Sequence, residues 1–461
     1  MRSNRMLVGA GTALILTLGV VAAAPSEAGE RHGHGGKVAN GDAVRAWNEI
    51  AVNTLIALPG PAGGAPPAAA VHMGMVQGAV FDAVNAIGHP RYHSYVLEQR
   101  FPWWTSSDAA VAAAAHDVLH HLLSTVPALP DATRATLLAT LETQYADALG
   151  DVPDGWAEDR GVAAGEAAAA AMIADREGDG RFGPSAWVPN SAPGHWSPAV
   201  DASGNPVLDP TPWVGNVRPF TMASSDQFRT AGPLALTSAR YAAEVNEVKA
   251  LGSATSTVRT PTQTYIARWW QSTPVRSWNE VGRDLSARHD MSALGTARLL
   301  ALQNLSTADA AINCWNDKYH WDFWRPTNAI QRAAEDGNDA TEADPAWAPL
   351  ISAPYPEHPS GHLCLDGANV RVLWRYFGNV IDDGFSITSV STLLQPGDAT
   401  VRHFTSFSQV LDEIVEARIW AGLHFRNADL QGKRLGLQVA EHALWTQLRP
   451  VRHHHHNHHH H

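Results

Sequence analysis

Thr307-Ala-Asp-Ala-Ala-Ile-Asn-Cys-Trp-Asn-Asp-Lys-Tyr-His-Trp-Asp-Phe-Trp-Arg-Pro326 opens as a helix and closes as a cationic corner. Apolar residues at three- and four-residue spacing run from Ser292 to about Tyr319, which predicts a helix ending near Lys318, with Arg325-Pro326 just past it. Lysine brings a mobile point charge and arginine a planar fork of donors, a pairing suited to an oxyanion. The plainer alternative is a solvated basic pair. It fits poorly, because these charges stand among Trp315, Tyr319, Trp321, Phe323 and Trp324, and a cation in apolar company needs a bound partner.

Two later segments supply matching chemistry. Pro356 and Pro359 break the chain before Ser360-Gly361-His362, and a long apolar-periodic run to about Phe377 follows. Ser360-Gly361 therefore opens a helix whose free N–H groups face an anion, unless Ser360 is an ordinary N-cap. The third segment is Arg418-Ile-Trp-Ala-Gly-Leu-His424, where a histidine among apolar residues is either a ligand or a hydrogen-bonded core residue.

Helical pattern extends outward from these segments: 43–58, 66–87, 109–126, 130–149 and 156–177 on the N-terminal side, then 236–251, 407–421 and 429–448. Between the two sets, 178–235 is rich in Gly, Pro, Trp, Asn and Ser and reads as a long ordered crossover. Alternating strand signals are scarce. The expected fold is all-α, two helical-bundle halves joined by that crossover. The boundaries are 43–235 for the first half with its crossover and 236–450 for the second.

The ends differ in kind. Residues 1–28 pair Arg2 and Arg5 with the apolar run Leu7–Val21 and the small-residue site Ser26-Glu27-Ala28, a secretory signal cleaved after Ala28. Residues 29–42 read as a flexible polar leader, and 451–461 as a histidine-rich tail, native or a tag. No later stretch reaches ~20 unbroken apolar residues, so no membrane span is expected after cleavage. A formal net charge of −12 gives no electrostatic basis for holding nucleic acid. Cys314 and Cys364 form either one bridge or two buried thiols.

Taken together, the three segments resemble the superfamily of type 2 phosphatidic acid phosphatases, bacterial acid phosphatases and vanadium-dependent haloperoxidases. That pattern is Lys, six residues, Arg-Pro; Pro-Ser-Gly-His; then Arg, five residues, His. The 307–326 stretch, and Phe404-Thr-Ser-Phe-Ser-Gln leading into Arg418, resemble the haloperoxidase branch. The resemblance implies two four-helix bundles with the site in the C-terminal one. It also implies vanadate as cofactor, with hydrogen peroxide, a halide and a small organic acceptor as reaction partners. His424 would ligate the metal, Lys318, Arg325, Arg418, Ser360 and the Gly361 N–H would hold the oxygens, and His362 would be the acid–base. Trp315, Tyr355 and His358 would line a halide pocket, or pack as aromatic core, and Glu357 would stand unexpectedly beside the halide. The alternative within the superfamily is a secreted acid phosphatase with no cofactor, taking phosphate as substrate through a phosphohistidine at His424. A non-catalytic oxyanion binder would lack His362 or His424, and neither is lacking. Four residues after the final histidine, where the superfamily often has aspartate, stands Ala428. Asp429 follows, and the sequence leaves open whether it is the carboxylate behind His424; Asp366 is the nearest in sequence to His362.

Overall fold

The computed structural model describes residues 39–451. The expected signal peptide, residues 29–38 of the polar leader and residues 452–461 of the histidine tail lie outside that range, while Asp42, expected in the leader, opens the first helix. The first helices are α1 (Asp42–Ile56), α2 (Pro66–Asn85), α3 (Ser107–Thr125), α4 (Asp131–Gly150) and α5 (Trp156–Asp175). After the crossover come α6 (Ala239–Leu251), α7 (Pro261–Trp269), α8 (Pro274–Arg288), α9 (Ala293–Trp321), α10 (Pro326–Gln331) and α11 (Gly361–Phe377). A hairpin, β1 (Val380–Thr388) and β2 (Val401–Ser406), precedes α12 (Phe407–Trp420) and α13 (Arg426–Thr446). Among the described residues no helix is long and apolar enough to cross a membrane.

The starts follow local chemistry. Ser106, Ser238, Ser292 and Ser406 cap their helices by accepting from the N–H three residues on, and Thr260 with Gln263 forms a reciprocal capping box. Helices α7 and α8 were not anticipated from periodicity. Each begins with Pro after Thr, and α8 buries Val275, Trp278, Val281 and Leu285 at helical spacing, a signal that was present but short. Strands are few, as expected, and the one hairpin among the described residues was not located from the sequence. Its strands are antiparallel, but a register shift between Val380 and Phe385 and the positive φ of Gly384 interrupt the two-residue alternation.

Helix α9 is the spine, buried along nearly its whole length. It packs against α2 from the first half and against α11 and α13 from the second, so the described residues form one compact unit. Polar residues on α9 tack down the crossover. Asp309 accepts from the backbone N–H groups of Phe220, Thr221 and Met222, Asn313 from that of Phe228, and Asp317 from that of Thr230 and from Arg229. Positions 309, 313 and 317 lie one turn apart on one face. That stripe explains how a loop so poor in secondary structure stays ordered.

The crossing of α11 and α13 sets the start of α11. A Cβ on Gly432 would stand 2.6 Å from the Ser360 carbonyl oxygen, so only glycine permits this approach. Cys314 and Cys364 are buried and unbridged.

Candidate functional site

The C-terminal end of α9, the loop before α11 and the loop after α12 meet at one place. Lys318 is fully buried there, and its ammonium donates to the carbonyls of Pro356 (3.1 Å), Glu357 (3.2 Å) and Pro359 (2.5 Å). Burial pulls its pKa down to about 8. Arg325, the N-cap residue of α10, donates to the carbonyls of Tyr355 (2.7 Å) and Leu423 (2.8 Å). Arg418, in the last turn of α12, donates to Gln271 Oε1 at 2.8 Å. Burial lowers the pKa of both arginines.

Two donor atoms in this cluster are buried and unused. Ser360 is the N-cap of α11, yet its side chain makes no capping bond, and Ser360 Oγ has no partner. Arg418 Nε has none either. The Ser360 hydroxyl lies near the Asp429 carboxyl, but no hydrogen bond of good geometry joins them. Gly361 completes the cradle: a Cβ there would stand 3.0 Å from Trp315 Cη2.

The two histidines are fixed in complementary tautomers. His424 Nδ1 lies 3.0 Å from Glu357 Oε1, which also accepts the Phe425 backbone N–H at 3.0 Å. An oxygen already accepting one N–H takes the second from Nδ1–H, which leaves the lone pair on His424 Nε2. His362 Nε2 faces the Ser272 carbonyl oxygen at 3.3 Å. A carbonyl only accepts, so Nε2 carries the hydrogen and Nδ1 is the basic nitrogen. Burial holds both imidazoles well below the usual histidine range, helped at His362 by Arg418 and at His424 by Arg325, Lys318 and Arg418. Glu357 is pushed up to about 8 by burial, against the pull of Arg325 and Lys318.

The structure answers which carboxylate faces each histidine, a question the sequence left open. Glu357, not Asp429, stands behind His424; Asp429 sits fully buried with neither carboxylate oxygen hydrogen-bonded. Asp366 accepts from Trp278 Nε1 at 2.6 Å and makes no bond to His362. Trp315 and Tyr355 do share a pocket, their ring centroids 5.3 Å apart. His358 does not join them. It is fully buried, with Nε2 3.2 Å from Thr230 Oγ1, and lines a separate small cavity with Glu357 and Phe425. The chain bends at 354–355 and again at 358–359, and Tyr355 and His358 line different cavities.

Asp209 was missed. It reaches the site from the crossover, and its carboxylate accepts from Trp315 Nε1 (2.9 Å), Tyr319 OH (2.7 Å) and both Thr211 donors (2.8 and 3.3 Å). Burial raises its pKa against those bonds. The only sequence signal was the one-turn spacing of Trp315 and Tyr319, two donors on one face of α9.

The chain also has known relatives. Residues 298–452 match the family described as the VCPO second helical-bundle domain. Vanadium chloroperoxidase from Curvularia inaequalis is 27% identical over 248 residues, 41% of this chain and 40% of that protein's length. A crystal structure described as the first bacterial vanadium-dependent iodoperoxidase superposes with a TM-score of 0.69 at 21% identity, covering 91% of this chain and 100% of the other. A holo bacterial vanadium-dependent chloroperoxidase superposes with a TM-score of 0.66 at 18% identity, covering 88% and 97%. Residues 298–452 thus match the family's second helical-bundle domain in sequence, and the chain shares the fold of vanadium haloperoxidase structures across most of its length.

Proposed function

We propose that this protein is a vanadium-dependent haloperoxidase, secreted from the cell that makes it, which uses hydrogen peroxide to oxidise halide to hypohalous acid at a vanadate ligated by His424. The observation that carries the reading is the pair of buried, unpartnered donors, Ser360 Oγ and Arg418 Nε, in a cluster of three buried cations. Unused donors among three buried cations at one spot fit a tetrahedral oxyanion.

Lys318, Arg325, Arg418, Ser360 and the Gly361 N–H would hold the oxygens, with the start of α11 adding its dipole. His424 Nε2, freed by the bond from Nδ1 to Glu357, would be the metal ligand. Bound vanadate supplies Lewis acidity that activates peroxide toward the halide. His362 takes a proton from hydrogen peroxide on Nδ1, since Nε2 is engaged by the Ser272 carbonyl. Its neutrality follows from burial and from Arg418, and a base must be neutral to do this. Trp315 and Tyr355, held by Asp209 and by the cations behind them, wall the side where the halide would arrive.

The test is to add vanadate to the apo protein and assay peroxide-dependent bromide oxidation beside phosphate-ester hydrolysis. Bromide oxidation that requires vanadate is expected. Ester hydrolysis without vanadate, and no bromide oxidation with it, would replace this reading with a phosphohistidine mechanism at His424.

A further inference from the structure

A cavity of about 210 Å³ opens directly onto the catalytic groups, with Trp315, Tyr355, Gly361 and His362 as its floor. Its walls come from four parts of the chain: the start of α2, the crossover, the start of α8 and the loop before α11. Five prolines, Pro66, Pro67, Pro210, Pro274 and Pro354, make most of that wall, with Leu365 behind. Proline has no N–H and a locked φ, so this lining is stiff and offers few donors. Ala65, Pro66, Pro210 and Pro354 are half-buried and form the mouth, while Pro67, Pro274 and Leu365 are buried.

The one charged carboxylate in the wall is Asp209, and its two oxygens already accept four hydrogen bonds. The cavity therefore has shape and apolar surface but no free charged group for recognition. A halide ion arriving at Trp315 and Tyr355 fills little of that volume, and leaving water for the apolar wall costs it hydration. An apolar cavity of roughly 150 Å³ accommodates benzene, so this one suits a single aromatic ring with a small neutral substituent.

We propose that this cavity binds the organic acceptor, a neutral, electron-rich, one-ring aromatic compound, and presents it to the oxidised halogen as that forms. The proposal rests on the haloperoxidase reading. In the step it implies, the oxygen–halogen bond of hypohalous acid breaks and a ring carbon–halogen bond forms. The ring proton leaves with the hydroxide as water, and no further oxidant is needed. Halogenation at a held ring is directed, whereas hypohalous acid free in solution follows the ring's own reactivity.

The experiment uses the vanadate-loaded protein and anisole as the probe. Three quantities are read: anisole binding by ligand-observed NMR, bromide oxidation without organic acceptor as tribromide, and the ortho-to-para ratio of bromoanisole against that from reagent hypobromous acid. Ala65→Trp and Pro210→Trp each put an indole in the mouth, so failure of one to fold leaves the other. Wild type should bind anisole saturably and give a ratio unlike the free reagent's. The variants should keep the tribromide rate, lose anisole affinity by about tenfold or more, and return to the free reagent's ratio. No saturable binding by wild type, or a wild-type ratio equal to the reagent's, would overturn the proposal. Absence of tribromide formation would instead bring down the haloperoxidase reading and the acceptor role with it, while anisole binding would still report the cavity by itself.

Discussion

Glu357 Oε1 receives two hydrogens at once, from His424 Nδ1 and from the Phe425 backbone, each at 3.0 Å. This one oxygen sets the direction of the imidazole and the nitrogen left free. Glu357→Gln keeps an accepting oxygen and should keep vanadate binding. Glu357→Ala removes it and should weaken vanadate binding by roughly 10–100-fold, as loss of a hydrogen-bonding partner behind a metal ligand does. Vanadate titration followed by vanadium NMR distinguishes the two. Equal affinity in both variants would mean that Glu357 does not orient His424.

Gly361 is the narrowest point of the cradle. Alanine there would bring its Cβ to 3.0 and 3.1 Å from Trp315 Cη2 and Cζ3. Trp315 cannot give way freely, because its Nε1 is tied to Asp209 and its ring is packed against Tyr355. Gly361→Ala should cost about 1–3 kcal/mol of stability through overpacking and weaken oxyanion binding. Chemical unfolding and vanadate titration measure the two losses, and a variant unchanged in both would show that the cradle yields.

His362→Ala should retain vanadate, since His424 and the oxygen donors remain, and lose turnover by roughly 100-fold or more. The acidic limb of the pH–rate profile should vanish with it. A variant with the wild-type rate and the wild-type acidic limb would remove His362 from the chemistry.

A pH effect is expected far from the site. Helix α4 buries only Leu141, and His116 of α3 ties it down, with Nε2 2.9 Å from Glu142 and Nδ1 2.7 Å from Asp117. Burial lowers the His116 pKa, but the hydrogen bonds and charges of Asp117 and Glu142 outweigh it and carry the pKa above the ordinary 6.5. A histidine raised on folding contributes stability that is full below 6.5 and is lost as pH rises through the folded value. Protection of the 131–150 amides against hydrogen exchange should therefore fall across that rise in wild type. It should be flat in His116→Gln, with a difference of up to roughly 1 kcal/mol because Glu142 is half exposed. The same pH dependence in both proteins would exclude His116 as its source.

The amino-acid sequence by itself determined the helices long enough to show their period and the serine and proline starts, and it offered seven candidate oxyanion residues through their resemblance to a family pattern. These are short-range properties: apolar spacing selects a helix face, and a donor type at a helix start selects an anion. Sequence did not reveal which carboxylate serves which histidine. Asp429 and Asp366 were nearest along the chain, yet Glu357, 67 residues from His424, made the bond, and Asp366 turned to Trp278, 88 residues away. Nor did it reveal that Asp209 would brace Trp315 from 106 residues away, or that His358 would part from Tyr355. The hairpin stayed hidden because a bulge broke its alternation. Side-chain hydrogen bonds reach about 3 Å and depend on how distant segments pack, so tertiary structure alone decided those pairings.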